Sequence, residues 1–241
     1  SIIDWRMEQC TRAGVEFKFN CWVEADVVLG LNPDVVIVAT GGLPDVDILA
    51  QNNHLLVSSW DIISGAVAVK ENVLLYDDAG DHVALQAAEV ISKKAAHLEV
   101  MTPDRTFASE VMAMNLVPYM RELQDRSVIF SVTYRLAAVS AIEGKLKAEL
   151  GSDYTAVNKH RIVDQVVVNH GTIPLDDVYF DLKPHSSNLG AVDYQQLRVG
   201  QPQTVVSNSS GKFQLYRIGD AVSARNIHAA IYDALRLVKD L

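Results

Sequence analysis

The chain has 241 residues, enough for one large domain or two of ordinary size. Hydrophobic residues make up 49% and charged residues 21%, the balance of a soluble globular protein, and a net charge of −9 argues against nonspecific binding to nucleic acid or an anionic membrane. No apolar run reaches the roughly 18 residues that cross a bilayer, no signal peptide opens the chain, and Cys10 and Cys21, in no C-x-x-C pair, read as reduced thiols of a cytoplasmic protein.

Ile2, Ile3, Met7 and Cys10 fall at near-helical spacing and predict a helix over 2–13, stopped by Gly14. A start inside an amphipathic helix, without Met, leads to the expectation of a piece of a longer protein, with Ser1 a cloning remnant. Val15 to Phe19 alternates apolar and polar residues and reads as a strand. Glu24 to Leu31 reads as a short helix ended at Asn32-Pro33. Val35 to Ala39 is continuously apolar and mostly β-branched, as in a strand covered on both faces. A short strand at Leu55 to Ser58 and a short helix at Trp60 to Ser64 follow, then a linker at Lys70-Glu71-Asn72. Strand Val73–Tyr76, helix Val83–Ala95 and strand Leu98–Met101 form a βαβ unit, which implies a parallel sheet. Ser109 to Leu123 has helical period despite Pro118, and Met112, Met114, Tyr119 and Met120 on it are read as core packing. Strands are predicted over Val128–Val132, Tyr134–Ile142, Lys145–Leu150, Val163–Val168 and Val178–Asp181. Polar Lys183 to Gly211 reads as a crossover loop, Phe213–Ile218 as a strand, and Asn226–Lys239 as the last helix.

This order predicts an α/β protein of two Rossmann-like, three-layer units. The second, 68–190, is inserted in the first, which is built from 1–67 plus 191–241 and lacks its first βαβ. Ligands of open α/β sheets bind beyond the carboxyl ends of the strands. Two motifs fall there. Thr40-Gly41-Gly42 closes the strand at 35–39, and glycine lets backbone approach a ligand; the plainer reading is a tight turn. Gly219-Asp220-Ala221 closes the strand at 213–218. Its carboxylate can accept from ribose or ribityl hydroxyls, and the following helix offers N–H groups to a phosphate; the plainer reading is a helix-capping Asp.

The βα turn of the inserted unit is Asp77-Asp78-Ala79-Gly80-Asp81-His82. One glycine stands where a nicotinamide-binding turn carries three, and three carboxylates lie where a pyrophosphate would sit. Such carboxylates satisfy the helix N-terminus internally and repel a dianion. The unit is therefore expected to be structural or vestigial, with poor NAD(P) affinity. An adenosine site using Asp77 or Asp78 on the ribose is the alternative. The seven histidines show no i, i+4 pair and no metal motif, and no nucleophile motif occurs, so neither metal nor catalytic residue is assigned.

Four stretches carry a family resemblance. They are Ile3-Asp4-Trp5 through Gly14-Val15-Glu16, Asn32 to Pro44, Val73 to Asp78, and Ile218-Gly219-Asp220-Ala221 with the helix to Leu241. In order and spacing they resemble the C-terminal half of class I NADH:flavin oxidoreductases of the trimethylamine dehydrogenase and 2,4-dienoyl-CoA reductase type. Within that family the chain looks nearest the bacterial N-methyl amine dehydrogenases and demethylases. The resemblance implies an N-terminal TIM barrel holding FMN and a [4Fe–4S] cluster, outside this chain. It also implies an FAD- or ADP-binding domain lined by Thr40, Gly41, Gly42, Gly219, Asp220 and Ala221. The implied partners are the missing barrel, an electron-acceptor protein and further copies of the parent. The acidic turn favours the amine dehydrogenase branch over an NAD(P)H-dependent reductase. A non-catalytic binding domain reusing the fold is the remaining alternative. The isolated chain is expected neither to retain FAD tightly nor to oxidise NADH.

Overall fold

The computed structural model describes residues 1–239; the end of the expected helix to Leu241 lies outside the described residues. The fold is mixed α/β with several sheets, of Rossmann-like architecture. By internal contacts it divides into two compact units. Among the described residues, one comprises 1–39, 176–218 and 232–239, and the other 40–175 and 219–231.

The first unit opens with α1 (Ile2–Arg12) and α2 (Ala25–Gly30). Ser1 and Asp4 form a capping box at the start of α1. Strand β1 (Val35–Val38) pairs in parallel with β12 (Gln214–Arg217), register Val38 to Arg217. Between them in sequence come α6 (Asp177–Leu182) and α7 (Tyr194–Val199). Asn188 is fully buried: its amide donates to the Ala191 and Leu215 carbonyls, and its oxygen accepts the Leu215 N–H.

The second unit is built on a five-stranded parallel sheet. It uses β3 (Leu56–Ser58), β4 (Asn72–Asp77), β5 (His97–Met101), β6 (Ile129–Ser131) and β10 (Gln165–Asn169), in the order β3-β10-β4-β5-β6. The period of two along each strand divides its side chains between two cores. Val73, Leu75, Val100 and Val167 meet Leu85, Ala88 and Ile91 of α4 (His82–Ser92), Ile62 of α3 (Ser59–Ser64) and Leu123 of α5 (Ala113–Asp125). Leu74, Tyr76, Met101, Val166 and Val168 meet Leu136, Val139, Ala148, Leu150 and Val163. Those last five belong to an antiparallel meander of β7 (Arg135–Ile142), β8 (Lys145–Ser152) and β9 (Thr155–Val163). Burial on both faces explains why Val73–Tyr76 of β4 and Val166–Val168 of β10 are unbroken apolar runs. A two-stranded antiparallel ribbon, β2 (Gly42–Pro44) with β11 (Thr172–Pro174), completes the unit, and α8 (Ile227–Val238) carries the chain from the second unit back to the first.

Several sequence expectations are corrected. Val15–Phe19 is not a strand; it has no strand partner, and Phe17 and Phe19 stack on each other with centroids 5.6 Å apart. Val178–Asp181 is helical, within α6, because Asp176 caps the turn by accepting the Tyr179 and Phe180 N–H groups on its carbonyl. Met112 and Met114 are not core: they stand 72% and 84% exposed, while Leu123 on the same helical segment is buried. The segment read as one crossover loop contains α7. The strand read at 163–168 is two elements, since β9 extends back to Thr155 and β10 starts at Gln165. Among the described residues no helix is long and apolar enough to cross a membrane.

Candidate functional site

Both motifs singled out by sequence lie in the second unit and adjoin the same strand, β11. Thr40 follows the end of β1, and its hydroxyl donates to the Leu175 carbonyl. Leu175 returns its N–H to the Gly41 carbonyl at 3.0 Å. Gly42 opens β2 opposite Pro174; a Cβ there would fall 2.7 Å from the Ile173 carbonyl oxygen, so the approach of β11 requires glycine. Gly41 differs. It has φ +75°, and a Cβ would meet nothing within 4 Å, so the turn presents bare backbone to open space.

Gly219–Ala221 forms a short 3-10 turn packed on β11. Gly219 has φ +63° and lies against Ala230. Asp220 accepts the Arg225 N–H at 3.2 Å, and Asn226 accepts the Ala229 N–H at 3.0 Å. Part of the N–H supply at the start of α8 is therefore used inside the chain. Ala221 is fully buried. The sequence motifs thus come together around a strand, Thr172–Pro174, that pattern reading missed.

The acidic turn after β4 lies at the carboxyl edge of the parallel sheet, between β4 and β10, where the chain order reverses. Asp77 is buried, and its Oδ1 accepts from the Ala79 and Gly80 N–H groups at 3.2 and 3.0 Å and from Asn169 Nδ2 at 3.0 Å. Burial pushes its carboxyl up to about 6, against the opposing pull of the Asn169 and backbone hydrogen bonds. Asp81 caps α4, accepting from Val83 and Ala84 N–H, and takes a second bond from Asn169 Nδ2 at 3.0 Å. Ser59 donates to Asn169 Oδ1 at 2.9 Å. Asp78 holds His170 Nδ1 at 2.6 Å. Ser109 closes over the turn: its Oγ would lie 2.6 Å from a Cβ on Gly80. The N–H groups that a phosphate-binding turn leaves open are here taken by the protein's own carboxylates. Asn169, Ser59, Ser109 and His170 were invisible to motif reading, because each lies far from the turn in sequence.

A groove of about 660 Å³ between α4 and α5 is lined by His82, Glu89, Lys93, Tyr119 and Glu122, among others. Its acids are paired locally, Glu89 with Lys93 and Glu122 with Arg126, each at 2.7 Å. No residue of either motif lines it.

No family model matches the chain. It is 62% identical over its whole length to a probable N-methylproline demethylase of Rhizobium meliloti, of which it spans 36%. It is 35% identical over 99% of its length to an N,N-dimethylglycine/sarcosine dehydrogenase of Chromohalobacter salexigens, again spanning 36% of that protein. In structure it matches histamine dehydrogenase from Rhizobium sp. 4-9 with a TM-score of 0.74, at 20% identity, covering 98% of this chain and 35% of that one. The chain spans about a third of the length of these proteins. With two relatives matched along essentially the whole of this chain and the fold in agreement, the chain belongs to the flavin-dependent oxidoreductases of the trimethylamine dehydrogenase and demethylase type.

Proposed function

We propose that this chain is the nucleotide-binding-type portion of a flavin-dependent oxidoreductase that oxidises N-methylated amines. The 62% identity to a probable N-methylproline demethylase along the entire chain carries the reading. Amine oxidation belongs to an FMN held elsewhere in the parent, with a [4Fe–4S] cluster beside it, and no residue of this chain acts on the amine. This portion holds FAD or ADP. The bare backbone at Gly41 admits a ligand to van der Waals contact, Asp220 faces a ribose or ribityl hydroxyl, and Thr40, Gly42, Gly219 and Ala221 hold the two turns in place. In domain terms, 68–190 is inserted into a nucleotide-binding domain formed by 1–67 and 191–241. The inserted domain takes no NAD(P), since its turn is filled by Asp77, Asp81 and Asn169. Electrons leave to a protein acceptor. The parent is a cytoplasmic homo-oligomer.

The full-length parent tests this. Its absorption spectrum should show a flavin band with a broad iron–sulfur shoulder, bleached by N-methylproline or dimethylglycine and unchanged by NADH. Colourless, iron-free protein overturns the enzyme reading. Bleaching by NADH instead of the amine moves the assignment to an NAD(P)H-dependent reductase.

A further inference from the structure

Arg217 ends β12, two residues before Gly219. It lies at the carboxyl edge of the β1–β12 pair, in register with Val38. Its side chain is 26% exposed and forms an ion pair with Asp176, whose side chain is 20% exposed. The guanidinium also lies over two rings, 4.7 Å from the Tyr179 centroid and 5.4 Å from that of Phe180. Tyr179 is itself fixed, its hydroxyl donating to the Gly190 carbonyl at 3.1 Å. Asp176 stands at the N-cap of α6 yet caps no N–H with its side chain, consistent with its commitment to Arg217. Taking a guanidinium and a carboxylate largely out of water is expensive, and well-packed apolar residues often replace such a pair without loss. A planar fork locked between a carboxylate and two aromatic faces holds its strand end in one place.

Past Arg217 the strand ladder has one further bond, from the Ile218 N–H to the Val38 carbonyl at 3.0 Å, and the chain then turns at Gly219. A matching clip holds the other motif, where the Thr40 hydroxyl is bonded to the Leu175 carbonyl.

We propose that Arg217 is a positioning residue for nucleotide binding: clamped by Asp176, Tyr179 and Phe180, it fixes where β12 ends and so where the Gly219–Ala221 turn begins. The inference rests on the reading that this portion holds FAD or ADP. Arg217 touches no ligand in it; the turn does.

The test uses the full-length parent and titrates ADP by calorimetry, with melting temperature measured alongside. Arg217→Met should weaken ADP binding at least tenfold. Arg217→Lys keeps the charge but not the planar stack, and should recover only part of that loss. Asp176→Asn should weaken binding as Arg217→Met does, and the double variant should be no worse than Arg217→Met, because the two act as one clamp. Leu215→Val, a core change on the same strand, serves as the control. It should lower the melting temperature and leave affinity within twofold. The proposal is overturned if Arg217→Met and Asp176→Asn bind ADP like the wild type. It is equally overturned if Leu215→Val loses as much affinity as they do, since the role is then only structural. Wild-type parent that binds neither ADP nor FAD removes the underlying reading and the proposal with it. Should Arg217→Met fail to fold, Arg217→Lys and Asp176→Asn decide the matter by the same criteria.

Discussion

Two regions rich in apolar residues meet different fates. In β4, Val73, Leu74, Leu75 and Tyr76 are all at most 4% exposed, because helices cover one face of the sheet and a β-meander the other. In the first 23 residues, α1 buries no residue at all, and Ile2, Trp5 and Trp22 stand 70%, 56% and 81% exposed. An apolar pattern marks a surface that needs covering; whether it becomes core depends on a second layer. Among the described residues, that layer exists for the five-stranded sheet and not for α1. The sharpest way to break the contrast is a pair of truncations. Leu75→Ala should destabilise the second unit by about 2–5 kcal/mol, by lost transfer energy and the cavity left behind. Trp22→Ala should cost about 0.5 kcal/mol or less in this chain. Urea denaturation followed by circular dichroism measures both, and a large loss from Trp22→Ala would mean that its ring is packed after all.

The buried polar edge of the same sheet is the next point of pressure. Asp77 has its carboxyl pushed from 3.8 up to about 6 by burial. A raised carboxylate is better protonated in the folded state. Its contribution to stability is therefore complete below pH ~4 and lost as the pH rises through about 6, a swing of roughly 3 kcal/mol. Asp77→Asn keeps an oxygen for the three donors that converge on Oδ1 and removes the charge. Relative to wild type, the variant should gain stability progressively between pH 4 and pH 7. Parallel stability curves for the two proteins across that range would show that Asp77 titrates normally.

How much of this was legible depended on how far the cause lay from the residue. The β4–α4–β5 unit could be read because its signal is local: an unbroken apolar strand, a helical period, a second strand. Val15–Phe19 alternates like a strand, but a strand exists only beside another, and none is there. Val178–Phe180 is a short apolar run that periodicity cannot assign. For Met112 and Met114 the helical period was right and the face wrong. At the candidate site, Thr40-Gly41-Gly42 was recognisable as special backbone. The reason for Gly42, however, is β11, some 130 residues later. Arg217 lay inside the strand predicted over Phe213–Ile218, but its partner Asp176 is 41 positions away. Sequence marked the places where backbone does something unusual and could not name what presses on them.

A smaller effect separates satisfied from unsatisfied polar burial. Asn169 is buried with every polar atom used, whereas Thr172 Oγ1 on β11 is buried with no hydrogen-bond partner among the described residues. An unpaired buried hydroxyl is a liability, and its removal at constant shape tends to be neutral or favourable. Thr172→Val should therefore change stability by about 1 kcal/mol or less, toward greater stability, in thermal unfolding. A loss above that size would reveal a partner for the hydroxyl.

The smallest expected effect is on ligand binding by the acidic turn. Asp77→Gly with Asp81→Gly removes the two carboxylates that occupy the Ala79, Gly80, Val83 and Ala84 N–H groups. Freed N–H groups at a helix start attract phosphate, yet NAD affinity should stay undetectable by calorimetry. Attraction is only part of what a pyrophosphate needs. Ser109 still closes over Gly80, Asn169 still projects between the strand ends, and Asp78 with His170 keeps a third carboxylate at the rim. The variant should instead lose stability, since α4 loses its cap and Asn169 two of its acceptors. Micromolar NAD binding by the double variant would mean that the two carboxylates alone bar the crevice, and that the second unit is a dinucleotide site held shut rather than one filled in.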